Sequence, residues 1–258
     1  MLELIDKGSA GADHPFVHGG FHAAWCWDEH FLEYFAERGF RAAVVSLRAH
    51  GGSTTTQPLR SCTVADYVED VASAIARVGG AAVLVGHSMG GFVIQRYLQT
   101  HDAPAAVLLA SVPPSGTLRI SLRLFRRRPL LHLKTLTVGD ARDIVGTSVL
   151  ARETLFSPYT PEPVVRECLG RLESESIRAT AYDMIRGPLP RPDDVKTPML
   201  VLGAESDGFV GADLVHATAL AYGTTAEIVS GMGHNMMVEP GWRAVADRII
   251  EWLGERGL

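Results

Sequence analysis

The chain has 258 residues, of which 47% are hydrophobic and 21% charged, and its formal net charge is −5 at pH 7. This length predicts one large domain, or a core domain with an insertion, that can bury a sizeable core without disulfides or metals. The acidic balance gives no reason to expect nucleic acid as a partner, and no apolar run is long enough to predict a transmembrane segment. Three cysteines without C-x-x-C spacing argue against a disulfide framework or a zinc site.

Short apolar runs alternate with helical patterns in two parts of the chain, which predicts a mostly parallel central sheet flanked by helices on both faces. In chain order, strands are predicted at 2–5, 14–17, 41–47, 81–85, 105–110, 198–203 and 226–229. Helices are predicted at 27–38, 64–78, 92–98, 161–172, 175–185, 212–222 and 243–253. The first residues have neither the basic nor the apolar part of a signal peptide, so a cytoplasmic location is the default expectation.

Between residues 113 and 192 the alternation stops and only helical patterns remain. We interpret residues 1–112 and 193–258 as the core, and residues 113–192, called the cap region below, as an inserted helical cap or lid. Inserted segments at the carboxyl edge of a parallel sheet commonly shape the substrate pocket. Within the cap region, residues 118–134 are rich in arginine. A solvated cap helix is favoured there over a cationic helix that meets a membrane or an anionic substrate, because Pro129 would break the helix.

One hexapeptide, Gly86-His87-Ser88-Met89-Gly90-Gly91, lies between a predicted strand and a predicted helix. A strand, a sharp turn and a helix around G-x-S-x-G are typical of a nucleophile elbow. Glycines at the first and last positions of the motif let strand and helix close up around a strained serine. An oxyanion forming at Ser88 needs two backbone donors, for which we expect the N–H groups of Met89 and of Gly20, in the turn after strand 14–17.

A serine nucleophile also needs a base and an acid that orients the base. His234 lies in a glycine-flanked loop after the last predicted strand, whereas His216 falls in a helical pattern. Glu205 and Asp207 both follow the strand at 198–203, and at this point either could be the acid.

Three other histidines receive structural interpretations. His18 and His50 are expected to hydrogen-bond loop backbone, and His87 to pack against the elbow. His22 is left open between the mouth of a pocket and a structural role. No H-x-x-E-H or similar motif is present, so neither a metal nor a cofactor is predicted.

With these motifs the chain resembles the α/β-hydrolase superfamily along nearly its whole length. The matching segments are His18-Gly19-Gly20, Arg48-Ala49-His50-Gly51, the elbow, Asp207 and Gly233-His234-Asn235. The resemblance implies the order serine, acid, histidine, and the family's spacing favours Asp207 over Glu205. The triad implied is therefore Ser88, Asp207 and His234, with Glu205 as the runner-up for the acid. Residues 18–25 also resemble the plant methylesterase and hydroxynitrile lyase group. Those lyases have threonine and lysine where this chain has Gly19 and Asn235, which argues against cyanohydrin cleavage.

The expected activity is therefore cleavage of a carboxylic ester by a serine hydrolase, with a hydrophobic small molecule as the favoured substrate. A thioesterase or acyltransferase with the same triad is the alternative, and a ligand receptor without turnover is the third hypothesis. The cap region is expected to decide which acyl and alcohol groups fit. The partner expected is this small molecule, and a homodimer is left open. The chain's N-terminal strands are expected to be shorter or fewer than is usual for the family.

Overall fold

The computed structural model describes residues 1–8, 13–79, 82–137 and 140–258. In these residues seven strands form one sheet in the order β1-β3-β2-β4-β5-β6-β7, and only β1 is antiparallel to its neighbour. The strands are β1 Leu4–Lys7, β2 Asp13–Val17, β3 Arg41–Val45, β4 Leu84–His87, β5 Ala106–Leu109, β6 Met199–Ala204 and β7 Ala226–Val229. This is the mostly parallel sheet that the alternating pattern predicts.

Helices cover both faces of the sheet, because alternate side chains of each strand point to opposite faces. Phe16 packs into one apolar cluster with helices from both ends of the chain, and Val17 into the other. Outside the cap region the helices are α1 Trp25–Asp28, α2 Phe31–Ala36, α3 Val64–Val78, α4 Met89–Tyr97, α10 Ala212–Ala221 and α11 Trp242–Gly254.

Two N-terminal elements differ from the prediction. The helix predicted at 27–38 is two short helices, because His30 leaves helical geometry at φ −139° between them. The first strand begins at Leu4 rather than at residue 2, and β1 is the only strand before β2 in the described residues. Residue 81, the predicted start of the elbow strand, lies outside those residues, and β4 extends to His87.

The described residues of the cap region form helices and loops without a strand. They contain α5 Leu118–Arg127, α6 Pro129–Thr137, α7 Ser148–Leu155, α8 Glu162–Arg171, a π-helical segment Arg178–Asp183 and α9 Met184–Arg186. The arginine-rich segment is indeed interrupted at Pro129, where α6 begins. None of the helices in the described residues is long and apolar enough to cross a membrane.

Candidate active site

Ser88 lies between β4 and α4 in a conformation that side chains rarely adopt, with φ +51° and ψ −116°. The glycines around it make this turn fit. A Cβ on Gly86 would lie 2.6 Å from Ile94 Cδ1, and a Cβ on Gly90 would collide with the backbone carbonyl oxygens of Val17 and His18. The strained serine is therefore held by close backbone packing that only glycine permits.

Ser88, His234 and Asp207 form one hydrogen-bonded chain. Ser88 Oγ lies 3.0 Å from His234 Nε2, and His234 Nδ1 lies 2.8 Å from Asp207 Oδ2. A carboxylate can only accept, so Nδ1 carries the ring proton and Nε2 is free to accept the serine hydroxyl. Asp207 Oδ1 accepts the N–H groups of Phe209 and Val210, each at 2.7 Å, which fixes the carboxylate.

The two alternative candidates lie elsewhere. Glu205 is exposed, and its Oε2 accepts the N–H of Gly231 at 2.8 Å. His216 is exposed on α10. The fold therefore brings Asp207, and neither of these residues, to His234.

The two backbone donors expected for an oxyanion lie at the same pocket as Ser88, which is lined by both Gly20 and Met89. Met89 is the first residue of α4, where backbone N–H groups have no partner inside the helix and favour negative charge.

A second hydrogen-bonded chain holds the loop of Gly20. The Gly20 carbonyl accepts a hydrogen bond from His22 Nδ1 at 2.8 Å, and His22 Nε2 lies 3.2 Å from Asn235 Nδ2. Burial lowers the pKa of His22 to about 4, so its ring is neutral and Nε2 accepts from the amide. His22 thus both lines the pocket and supports the loop. Sequence reasoning missed Asn235 in this role, because its only signal was its place beside His234.

The pocket over Ser88 has an empty volume of about 880 Å³ that includes its opening to solvent. Most of its lining comes from the cap region and is apolar, with Ile120 and Leu124 from α5 and Met184 from α9 among the contributors. A few polar side chains, including Ser121 and His132, also line it. The site is therefore a largely apolar chamber between the cap region and the carboxyl edge of the sheet.

Three other histidines are buried near the site. His18 Nδ1 contacts the Gly19 carbonyl at 2.8 Å, and its Nε2 accepts the Leu47 N–H at 3.0 Å, as expected for a loop-binding histidine. His87 Nε2 contacts the carbonyl of His234 at 3.0 Å, and the two rings are 4.6 Å apart. His50 also contacts backbone, but in addition it faces a buried glutamate, Glu175, which the sequence did not indicate.

Relatives cover only part of this chain. A "Probable esterase PIR7A" of Oryza sativa subsp. indica is 29% identical over 170 residues, which is 59% of this chain and 62% of the relative. A "Bifunctional esterase/perhydrolase DCH" of Acinetobacter calcoaceticus is 35% identical over 122 residues, 44% of this chain and 42% of the relative. This chain therefore aligns with less than two thirds of the length of these relatives.

Solved structures extend the likeness to the whole fold. A thermophilic esterase from Thermogutta terrifontis superposes with a TM-score of 0.79 at 21% identity, covering 99% of this chain and 93% of the other. The model of the "Alpha/beta hydrolase family" matches residues 16–248, which include the elbow, Asp207 and His234. The chain therefore belongs to the alpha/beta hydrolase family.

Proposed function

We propose that this protein is a serine esterase that hydrolyses carboxylic esters through an acyl-enzyme on Ser88. The observation that carries the proposal is the hydrogen-bonded chain from Ser88 Oγ through His234 to Asp207, with distances of 3.0 Å and 2.8 Å. Nucleophile, base and orienting carboxylate at these distances are the pattern of an activated serine. The esterase relatives named above agree with this activity.

In the proposed reaction, Ser88 Oγ bonds to the ester carbonyl carbon while His234 Nε2 takes its proton. The N–H groups of Gly20 and Met89 donate to the oxyanion. As the tetrahedral intermediate collapses, His234 passes the proton to the departing alcohol. Water then attacks the acyl-enzyme with His234 again as base, which releases the acid and restores Ser88. Asp207 holds the imidazole and stabilises its charged form without taking the proton.

The cap region is proposed to select the substrate. Ile120, Leu124 and Met184 line the chamber above Ser88, which favours esters with an apolar acyl or alcohol group. Burying apolar surface stabilises a bound ligand by about 25 cal/mol per Å², so kcat/KM should rise with chain length until the chamber is full.

The test combines a panel of p-nitrophenyl esters of increasing chain length with a fluorophosphonate probe. Turnover of esters and a covalent adduct on Ser88, located by mass spectrometry, are expected, and both should be lost in Ser88→Ala. Full esterase activity in Ser88→Ala, or a wild-type protein that the probe does not label, would contradict the proposal. Repeated turnover of any ester would also remove the hypothesis of a receptor without catalysis.

Acyl transfer to an acceptor other than water is the second candidate. One relative's name, "Bifunctional esterase/perhydrolase", combines ester hydrolysis with a second acceptor, and the same acyl-enzyme serves water, a thiol, an alcohol or hydrogen peroxide. Trapping the acyl-enzyme and offering each acceptor separately would decide. A partition strongly in favour of one acceptor over water would make transfer the main activity, and exclusive release of the free acid would make it a hydrolase.

A further inference from the structure

A buried carboxylate lies directly behind the loop that carries Gly20. The side chain of Glu175, from the cap region, has no solvent exposure. It accepts hydrogen bonds from Ser176 N at 2.6 Å, from Tyr67 Oη at 2.9 Å and from Phe21 N at 3.4 Å. A Cβ added to Gly20 would lie 3.5 Å from Glu175 Oε2. The carboxylate is therefore adjacent to the backbone expected to face the oxyanion.

His50 supplies the opposite charge. Its Nε2 lies 3.2 Å from Glu175 Oε2, and its Nδ1 contacts the Arg48 carbonyl at 3.1 Å. Both ring nitrogens lie within 3.2 Å of an acceptor oxygen, although the Nε2 contact is an ion pair without hydrogen-bond alignment, and the nearby carboxylate favours the imidazolium form. Burial alone would lower the pKa of His50, but the Glu175 carboxylate raises it to about 9. The pKa of Glu175 is lowered in spite of its burial, with His50 as the main cause.

Other groups that titrate around the pair do not change this assignment. The neighbouring His18 ring, 5.3 Å away, is neutral because burial lowers its pKa to about 3. Burial and Glu175 raise the pKa of Tyr67 far above its ordinary value, so its hydroxyl stays protonated and donates. The other titratable or charged groups acting on His50, Glu175 or Tyr67 are His22, Cys62, Asp70 and Glu173, whereas Arg48 contacts His50 through its backbone carbonyl.

The cap region also holds the loop from its other side. Phe21, the residue after Gly20, has φ +68°, which is strained for a side chain with a Cβ. Its carbonyl accepts the N–H of Glu173 at 2.8 Å, and its own N–H points to Glu175. The Glu173 carboxylate in turn accepts the N–H of Gly51, next to His50, at 3.0 Å. Residues 173–175 therefore lie between the Gly20 loop and the loop of His50.

We propose that His50 and Glu175 are positioning residues for the oxyanion hole. Glu175 holds the strained Phe21 peptide so that the Gly20 N–H faces the substrate, and the His50 imidazolium neutralises the carboxylate. Without His50, the Glu175 carboxylate would be an uncompensated negative charge. It would lie beside the site where the substrate's carbonyl oxygen becomes negative in the transition state. This inference rests on the proposed function, since it assigns Gly20 to the oxyanion.

A double-mutant cycle tests the neutralisation. His50→Gln should lower kcat roughly thirtyfold with KM changed less than about twofold, because the loss falls on transition-state charge. Glu175→Gln should cost kcat only about fivefold, since the amide removes the charge but holds Phe21 less well. The kcat of the double variant His50→Gln/Glu175→Gln should equal that of Glu175→Gln and should be higher than that of His50→Gln. A double variant no faster than His50→Gln would overturn the neutralising role.

Asp183→Asn is the matched control. Asp183 is a buried carboxylate of the cap region that accepts the N–H of Val64 at 3.0 Å and pairs with Arg178, so it joins the cap region to the start of α3 rather than to Phe21. The kcat of Asp183→Asn should equal that of wild type even if the Tm of this variant falls. All assays run below the lowest Tm of the set, and an equal fall of kcat in Asp183→Asn would reduce the pair to a structural contact.

The pH dependence of kcat in the wild-type enzyme is a further test, and it does not depend on whether a variant folds. The wild-type kcat should fall as pH rises through about 9, where His50 loses its proton, and a kcat that stays constant to pH 10 would contradict the inference.

The experiments distinguish a failure of the esterase proposal from a failure of the positioning proposal. If the phosphonate does not label Ser88 in wild type, the esterase proposal fails. If it labels Ser88 but the kcat of His50→Gln is unchanged, only the positioning role fails.

Discussion

The side-chain amide of Asn235 lies 3.2 Å from His22 Nε2, so the residue that follows His234 holds the loop of Gly20. The contact joins the two halves of the proposed catalytic machinery, since His234 would move protons and Gly20 would bind the oxyanion. Asn235 is buried, and its own N–H donates to the Leu155 carbonyl at 2.8 Å. Its position is therefore fixed by the backbone of α7.

Removing this amide should weaken both stability and catalysis. Asn235→Ala leaves His22 Nε2 as a buried acceptor without its donor, which costs about 1–3 kcal/mol of unfolding free energy. We expect kcat to fall roughly tenfold, because the Gly20 carbonyl loses its fixed donor. Urea unfolding and steady-state kinetics measure the two effects. In a His22→Phe background, Asn235→Ala should lower kcat little further. Additive losses of kcat would show that Asn235 does not act through His22.

Asp207→Asn should lower kcat by about 10⁴-fold, because an amide can stabilise the wrong tautomer of His234 and cannot offset the charge of the imidazolium. Glu205→Gln is the matched control, since Glu205 is exposed and contacts Gly231 rather than His234. Its kcat should stay within about twofold of wild type. The reverse ranking of these two variants would transfer the acid role to Glu205.

Gly90→Ala tests the close packing of the elbow. The new Cβ would meet the carbonyl oxygens of Val17 and His18, which belong to backbone and cannot turn away. We expect a loss of about 1–3 kcal/mol in unfolding free energy, or failure to fold. Gly170→Ala is the control, because a Cβ at that exposed position of α8 contacts nothing and should stabilise the helix by up to about 1 kcal/mol.

The buried pair should also make stability depend on pH. The pKa of His50 is about 9 in the folded protein and about 6.5 when unfolded, so folding favours the protonated ring. Its contribution is fully present below pH 6.5 and is lost as pH rises through about 9. The unfolding free energy of wild type, measured relative to the double variant His50→Gln/Glu175→Gln, should decrease across this interval. A difference that stays constant or grows would mean that His50 is not charged in the fold.

Features with local causes could be predicted from sequence. Helix α3 begins and ends at the predicted residues, because Thr63 and Asp66 cap each other's backbone at its start and Gly79 ends it with φ +126°. The elbow is equally local, since its strand, turn and helix are contiguous. The break at His30 was missed because apolar residues continue at helical spacing beyond it.

Contacts between distant segments were harder to predict. His50 was expected to bind loop backbone, and its Nδ1 does so, but that expectation was incomplete because Glu175 comes from the cap region. Nothing in the residues around Glu175 distinguishes it from a solvated glutamate. Only the packing of residues 173–175 against the loops of Phe21 and His50 reveals that its charge is buried and paired.

The two hydrogen bonds of Phe21 tie the peptide next to Gly20 to the cap region. Both partners lie in residues 173–175, so the segment that covers the chamber also holds the loop expected to bind the oxyanion. Under the proposed mechanism, a substitution that reshapes this part of the cap region would change the position of the oxyanion donor together with the fit of the substrate, so substrate choice and kcat would not vary independently.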